Sequence, residues 1–295
     1  KAMNVTLIQG NIDQSIKWNP DFQADTIDVY KNLSLEKRSS VTGLTVWPET
    51  AMPFFFQDPS KMQSEIIEVA RRSGDWLLFG SPSYQRNCEG DPACLPFLNS
   101  AFLLSPQGKI LGRYDKVHLV PYGEYVPLGN MFPFIKKLVV GVGDFRSGEG
   151  YYPLAMDGHK LGVLVCYEGI FPGASRTYKK NGADLLVNIT NDAWFGRTSA
   201  PYQHLSMTVF RAVENRLYLV RSANTGISAV IDPTGRIVAH TALFERTALR
   251  NTIKFINKET FYAVYGDVFA LLCMIILTFY IFISLRRKNV NAYRN

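Results

Sequence analysis

Residues 159–173 read HKLGVLVCYEGIFPG. Positions 161–165 are apolar or Gly, with Val at two of them, the composition of a strand covered on both faces. The run ends in Cys166, Tyr167 and Glu168, and a Pro-Gly turn follows. A core strand that ends in a thiol, a phenol and a carboxylate puts reactive groups where α/β folds collect their chemistry.

Outward from this strand, short apolar segments alternate with amphipathic helical ones, the pattern of a layered α/β architecture. MNVTLIQGNI (3–12), GLTVWPE (43–49) and DWLLFGSP (75–82) read as strands, and residues 21–40 and 60–73 as helices. NSAFLLSPQGKILGRYDK (99–116) and TGISAVIDPTGRIVAHT (225–241) share one plan: a strand, a Pro-x-Gly turn followed by a basic residue, and a second strand. These twin hairpins imply an internal pseudo-repeat in one sheet system, with coincidence as the alternative.

The 295-residue chain is 47% hydrophobic, enough to bury a sizeable core in one large domain. Its charge of +7, from 32 basic and 25 acidic residues, is scattered. With no basic block, nucleic acid is not an expected partner, and a face near anionic lipid is. Four His (118, 159, 204, 240) and four Cys (88, 94, 166, 273) nowhere cluster at ligand spacing, so no metal is expected.

VFALLCMIILTFYIFISL (268–285) carries no charge. At about 1.5 Å per residue it reaches roughly 27 Å, close to the ~30 Å hydrocarbon core of a bilayer. Tyr262, Tyr265 and Tyr280 are candidate interfacial anchors. Arg286, Arg287, Lys288 and Arg294 follow the span, against Arg250, Lys254 and Lys258 before it. This small excess leans toward a cytoplasmic tail and an exported domain. The chain opens at KAMNVTLIQGN with neither an initiator Met nor a signal sequence, so it is expected to be the later part of a longer protein.

Three reactive side chains fall at strand ends: Glu49 after GLTVWP, Lys116 after the first hairpin, and Cys166 after LGVLV. Each alone has an ordinary reading, as a helix-start carboxylate, a solvated lysine or an inert buried thiol. In the contexts WPET (47–50), DKVHLVPYGEYVP (115–127) and VCYEGIFP (165–172) the set is specific. With LLVNITNDAWFG (185–196) and RAVENRLYLVRSANTGIS (211–228), it resembles the nitrilase, or carbon–nitrogen hydrolase, superfamily over about residues 3–255. The resemblance implies an α-β-β-α sandwich, here with one C-terminal transmembrane helix. It implies Glu49 as general base, Lys116 as stabiliser of the tetrahedral intermediate, Cys166 as nucleophile and Glu124 as a carboxylate that positions the set. No cofactor is implied.

The chemistry is coherent on its own terms. The thiolate is the attacking species, a carboxylate can take the thiol proton during attack, and an ammonium with a backbone N–H can hold the oxyanion. No histidine is required.

Within the superfamily, Cys-Tyr-Glu after the strand, PYGEYVP (121–127) after the lysine, YGD (265–267) before the span and NIDQSIKW (11–18) resemble the apolipoprotein N-acyltransferase branch. That branch moves an acyl chain from a phospholipid donor to the N-terminal amine of an apolipoprotein. It implies a bacterial inner-membrane protein with its catalytic domain in the periplasm. Tyr167 and Glu168 become candidate substrate-binding residues, and Trp18 either a wall of that site or a packing aromatic. The expected organisation is a catalytic domain over 1–258 and a span with a basic cytoplasmic tail over 259–295, acting as a monomer.

Two apolar loops, AMPFFFQDP (51–59) and GNMFPFIKKLVVGVGDF (129–145), would dip into a bilayer interface or fold back over the core. Cys88 and Cys94, in NCEGDPAC, would close a disulfide in an oxidising compartment or stay free. RAVENR (211–216) reads as a helix supporting the site from behind. A soluble amidase of the same fold and a catalytically silent membrane-anchored module are the rival readings. The intact Glu49, Lys116 and Cys166 argue against the second, and the apolar span against the first.

Overall fold

The computed structural model describes residues 2–36, 41–85, 96–125, 145–256 and 258–292, with side chains to 286. The chain forms two compact units, residues 1–258 and 259–295.

In the first unit, β1 (Ala2–Gln9) leads by a loop to α1 (Gln23–Leu35), β2 (Leu44–Val46), α2 (Lys61–Ser73) and β3 (Trp76–Tyr84). The first hairpin is β4 (Phe97–Leu104) and β5 (Ile110–Asp115). Then come β6 (Leu154–Met156), β7 (His159–Val165), α3 (Pro172–Lys180), β8 (Leu185–Thr190), α4 (Ala200–Asn215) and β9 (Tyr218–Ala223). The second hairpin, β10 (Ala229–Ile231) and β11 (Ile237–His240), precedes β12 (Thr247–Lys254).

Among the described residues these strands form two six-stranded sheets, ordered β12-β1-β2-β3-β4-β5 and β11-β10-β9-β8-β7-β6. In the first sheet β1, β2 and β3 run parallel and β4 and β5 turn back antiparallel. In the second, β7, β8 and β9 are parallel and β10 and β11 antiparallel. Each sheet has one further antiparallel strand beyond its first parallel one, β12 on β1 and β6 on β7. The pseudo-repeat is therefore real, but the twin hairpins lie in two different sheets rather than one. A hairpin turn specifies its own two strands and carries no information about which sheet receives them.

Strand alternation sorts the layers. Val5, Val46, Leu78 and Leu103 meet Val163, Val187, Val220 and Val230 in one buried cluster between the sheets. Neighbouring positions in the first sheet, such as Ile8, Leu77 and Phe79, point the other way and pack with Ile27 and Tyr30 of α1 and Ile66 and Val69 of α2. Tyr178 of α3 and Leu205 and Ala212 of α4 cover the second sheet. The result is the expected α-β-β-α sandwich. Helix α2 begins where Ser60 Oγ accepts the Gln63 N–H and ends at Gly74, whose φ of +71° only a residue without Cβ adopts cheaply. Helix α1 starts at Gln23, two residues later than expected, because Pro20 opens a separate 3-10 turn before it, and residues 37–40 of the expected helix lie outside the described residues.

The second unit holds α5 (Phe261–Tyr265), capped by Thr260, and α6 (Val268–Ala292). Over residues 268–286 α6 has a mean hydropathy of 2.7 and is, among the described residues, the one helix long and apolar enough to cross a membrane. Thr278 Oγ1 donates to the Met274 carbonyl at 2.8 Å, satisfying its hydroxyl within the helix.

Candidate active site

Glu49 stands two residues beyond Trp47, which extends β2 into the core and donates from Nε1 to Ser34 Oγ at 2.8 Å. Its carboxylate is buried and held at both oxygens. Asn99 Nδ2 donates to Oε1 at 2.8 Å and the Asn191 backbone N–H to Oε2 at 2.9 Å. Gly80 of β3 lies directly beneath this turn. A Cβ there would fall 2.4 Å from the Thr50 nitrogen and 2.7 Å from the Glu49 Cα, contacts with backbone that cannot swing away. Gly80→Ala is expected to destabilise the domain by about 1–3 kcal/mol and to displace Glu49. Thermal melting with a parallel activity measurement checks it, and an unchanged Tm with full activity would contradict it.

Lys116 follows β5, its own N–H donating to the Asn99 carbonyl at 2.9 Å. Its buried ammonium reaches both oxygens of Glu124, at 2.8 and 2.9 Å, and Glu49 Oε1 at 3.8 Å. Glu124 also accepts from the Val120 N–H at 2.8 Å and from Asn99 Nδ2 at 2.9 Å. One Asn99 amide thus bridges both carboxylates. Burial works against the Lys116 charge, but Glu124, the Cys166 sulfur and Glu49 outweigh it and hold its pKa above the ordinary lysine value.

Cys166 closes the triangle. It is half-buried and has a φ of +54°, a left-handed conformation that a residue with a Cβ adopts only when its surroundings impose it. The 3-10 turn Cys166–Ile170 carries it out of β7. Burial, and then the Glu49 charge, push the thiol well above its usual value, with Lys116 pulling the other way. The resting group is therefore a thiol, which could act as a nucleophile only where a base takes its proton.

A buried polar network supports this turn from behind. The Cys166 carbonyl accepts from Asn188 Nδ2 at 3.2 Å and lies 3.3 Å from His204 Nε2. Arg221 donates to Asn188 Oδ1 and, at 2.8 Å, to Asp192 Oδ2, and Asp192 Oδ1 lies 3.1 Å from His204 Nδ1. Burial and the adjacent Arg221 guanidinium hold the His204 pKa below its usual value. Although no histidine was required by the chemistry, one sits against the Cys166 main chain. Arg211 of α4 donates to the Ile170 carbonyl and pairs with Glu214, so RAVENR braces the far end of the same turn.

The remaining expected residues divide. Tyr167 is exposed, its ring 5.8 Å from that of His204, and remains available to a ligand. Glu168 is corrected: it is completely buried and has no oxygen to offer a substrate. Oε1 accepts from the backbone N–H groups of Val117 and His118 at 2.8 and 2.9 Å, Oε2 from the Val165 N–H at 2.8 Å, and Tyr114 OH donates to both. It ties the segment after Lys116 to the strand before Cys166. Trp18 is half-buried on the loop after β1. The adjacent Lys17 is buried, with its Nζ 3.3 Å from the Glu49 carbonyl oxygen.

Asn99, Lys17 and the Asn188–Asp192–His204–Arg221 network were not anticipated. A signal existed for part of it, since Asn188 and Arg221 interrupt otherwise apolar strands. Loop 51–59 folds back over the core, with Met52 and Phe56 fully buried and Phe55 stacked on Phe97. Cys88, Cys94 and most of loop 129–145 lie outside the described residues. Beside the segment after Lys116 is a cavity of about 400 Å³ lined by Val117, His118, Leu119, Pro121, Tyr125 and Phe145, with Ser147. No group of three or more His, Cys, Asp or Glu that could hold a metal occurs among the described residues.

Three comparisons bear on this geometry. The carbon-nitrogen hydrolase family model matches residues 4–255. An apolipoprotein N-acyltransferase of Geobacter metallireducens is 50% identical over 97% of this chain and 54% of its own length. One of Methylococcus capsulatus is 36% identical over 99% of this chain and 56% of its own. The chain thus spans about half the length of the curated relatives it matches. Among solved structures, Nit3 of Saccharomyces cerevisiae, a member of branch 10 of the nitrilase superfamily, superposes with a TM-score of 0.65 at 19% identity, covering 85% of this chain and 90% of that one.

Proposed function

The chain belongs to the carbon–nitrogen hydrolase family, and from that membership we propose that it is the catalytic part of a membrane enzyme that transfers an acyl chain from a phospholipid, through a Cys166 thioester, to the N-terminal amine of an apolipoprotein. The observation that carries the reading is the convergence of Glu49, Lys116, Glu124 and Cys166 from three strand ends onto one buried locus. The names of the similar relatives supply the substrate class.

In the first half-reaction Glu49 takes the Cys166 proton as Sγ attacks the ester carbonyl of the donor. Lys116, with the main-chain N–H that follows the sulfur, stabilises the oxyanion. The C–O bond breaks, and the departing lysophospholipid oxygen takes the proton from Glu49. In the second half the amine attacks the thioester, Glu49 accepts the amine proton, the C–S bond breaks and the proton returns to sulfur. Glu124 keeps Lys116 aimed and charged. Trp18 and Tyr167 are the substrate-facing aromatics, and the apolar cavity beside Val117 offers the surface an acyl chain needs.

On this reading the domain lies on the periplasmic face of a bacterial inner membrane, held by α6, with Arg286, Arg287, Lys288 and Arg294 at the cytoplasmic end. A protease added to spheroplasts should digest the domain and spare a tag fused after Asn295. A domain protected until the membrane is lysed overturns this topology. For the reaction itself, free fatty acid and acylated lipopeptide are followed together. Fatty acid released equally fast with and without the amine, and no acyl-peptide, would make the protein a hydrolase.

A further inference from the structure

The site holds a second lysine that the chemistry above does not use. Lys17 belongs to the loop after β1, which is fastened on several sides. The Asn11 N–H donates to the Asn224 carbonyl at 3.0 Å, Asn224 exchanges hydrogen bonds with both the N–H and the carbonyl of Ile12, and Gln14 accepts from Asn191 Nδ2 at 2.8 Å. Asn191 is the residue whose backbone N–H holds the Glu49 carboxylate. The loop is thus locked to the base, and it delivers Lys17 into the site almost fully buried.

A buried ammonium requires partners. Among the described residues the Lys17 ammonium makes one hydrogen bond, the 3.3 Å contact to the Glu49 carbonyl. The groups that act on its charge are Glu49, beyond β2, and Cys166, in the turn after β7. Around them stand Lys116 and Glu124 after β5, and Asp192 after β8 with its Arg221 and His204. Lys116 is already engaged by both oxygens of Glu124. Without Lys17, the two carboxylates and one ammonium around the sulfur leave a net negative charge, into which a thiolate or an oxyanion would form against repulsion.

We propose that Lys17 is a positioning residue for the acylation step, whose ammonium balances the second carboxylate and fixes the Glu49 main chain, so that negative charge can develop at Cys166. The proposal rests on the thioester half of the functional reading and is indifferent to whether amine or water discharges the intermediate. Burial draws the Lys17 pKa down to about 8, against the pull of Glu49 and Cys166, which favour the ammonium. Because the ammonium is the competent form, acylation is lost as pH rises through that value.

The test uses the full chain in detergent micelles with p-nitrophenyl butyrate, reading the p-nitrophenolate burst with Cys166→Ala as background. The burst rate should fall about tenfold between pH 7 and pH 9, as a single group near 8 dictates. Lys17→Met should be about 10²-fold slower at pH 7 and flat over that range. A flat or rising wild-type rate overturns the proposal, as does Lys17→Met retaining the fall or the wild-type rate. If Lys17→Met does not fold, the wild-type profile alone decides. A Cys166-independent signal sinks the thioester reading itself, an outcome distinct from a burst without a basic limb.

Discussion

Replacing Cys166 by Ala is expected to abolish the acyl adduct on the protein and to reduce turnover by at least ~10⁴-fold, the scale on which removal of a covalent nucleophile acts. The sulfur is the one nucleophile that Glu49, Lys116 and the left-handed turn all address. The substitution removes Sγ alone, since Ala keeps the Cβ that the φ of +54° already accommodates and the Asn188 contact is to the backbone. Intact-mass measurement after incubation with phospholipid should show an added acyl mass that hydroxylamine removes from the wild type, from Cys88→Ala and from Cys94→Ala. The same mass on Cys166→Ala would end the thioester mechanism.

The second large effect is expected from Glu49→Gln, which should slow both half-reactions by about 10²–10⁴-fold, the range over which general-base catalysis acts. The amide keeps the shape of the carboxylate but cannot accept the thiol proton. It also meets two donors, Asn99 Nδ2 and the Asn191 N–H, with a single oxygen. Asn99 Oδ1 accepts no hydrogen bond among the described residues, so a flipped Asn99 amide can receive the new N–H. That flip takes its donor from Glu124 and turns Asn99 Oδ1 toward Glu124 Oε1, a contact offset by Lys116, which holds both Glu124 oxygens, and by the Val120 N–H. The variant should therefore fold. Rapid-quench measurement separates adduct formation from its discharge by amine. A variant slow in only one of the two would mean that another group serves as base in the other half.

The strand-end chemistry was legible because strands that stop just before Glu49, Lys116 and Cys166 are local patterns. What local pattern does not carry is side-chain direction within a turn. Cys166, Tyr167 and Glu168 are consecutive in a 3-10 turn of about three residues per revolution, so they diverge by roughly a third of a turn each. The thiol faces Glu49, the phenol faces outward and the carboxylate turns back to collect Val117 and His118. Adjacency to Cys166 suggested a substrate role for Glu168 that its direction denies. Asn99 and Lys17 were hidden for a related reason. Both reach Glu49 across gaps of 50 and 32 residues, and only the packing of strands and loops sets those distances. Composition alone does not choose between the two readings of loop 51–59: Met52 and Phe56 are apolar because the core receives them.

The pairing of β1 with β12 has a consequence for how the domain comes to exist. Ala2 stands opposite Lys254 and Gln9 opposite Thr247, and Gln9 Oε1 gathers Ser228 Oγ and Thr241 Oγ1 at 2.8 and 2.7 Å. The earliest strand is thus completed by the latest, a contact of very high sequence separation whose loop-closure entropy falls due before any ladder bond forms. A nascent domain lacking residues 247–254 leaves one edge of β1 unpaired along its whole length. Only 13 residues, 255–267, separate that final strand from the start of α6. Acquisition of the native topology is therefore deferred until α6 is about to be synthesised, which under the proposed periplasmic location would keep the polypeptide extended for as long as it must be threaded across the membrane.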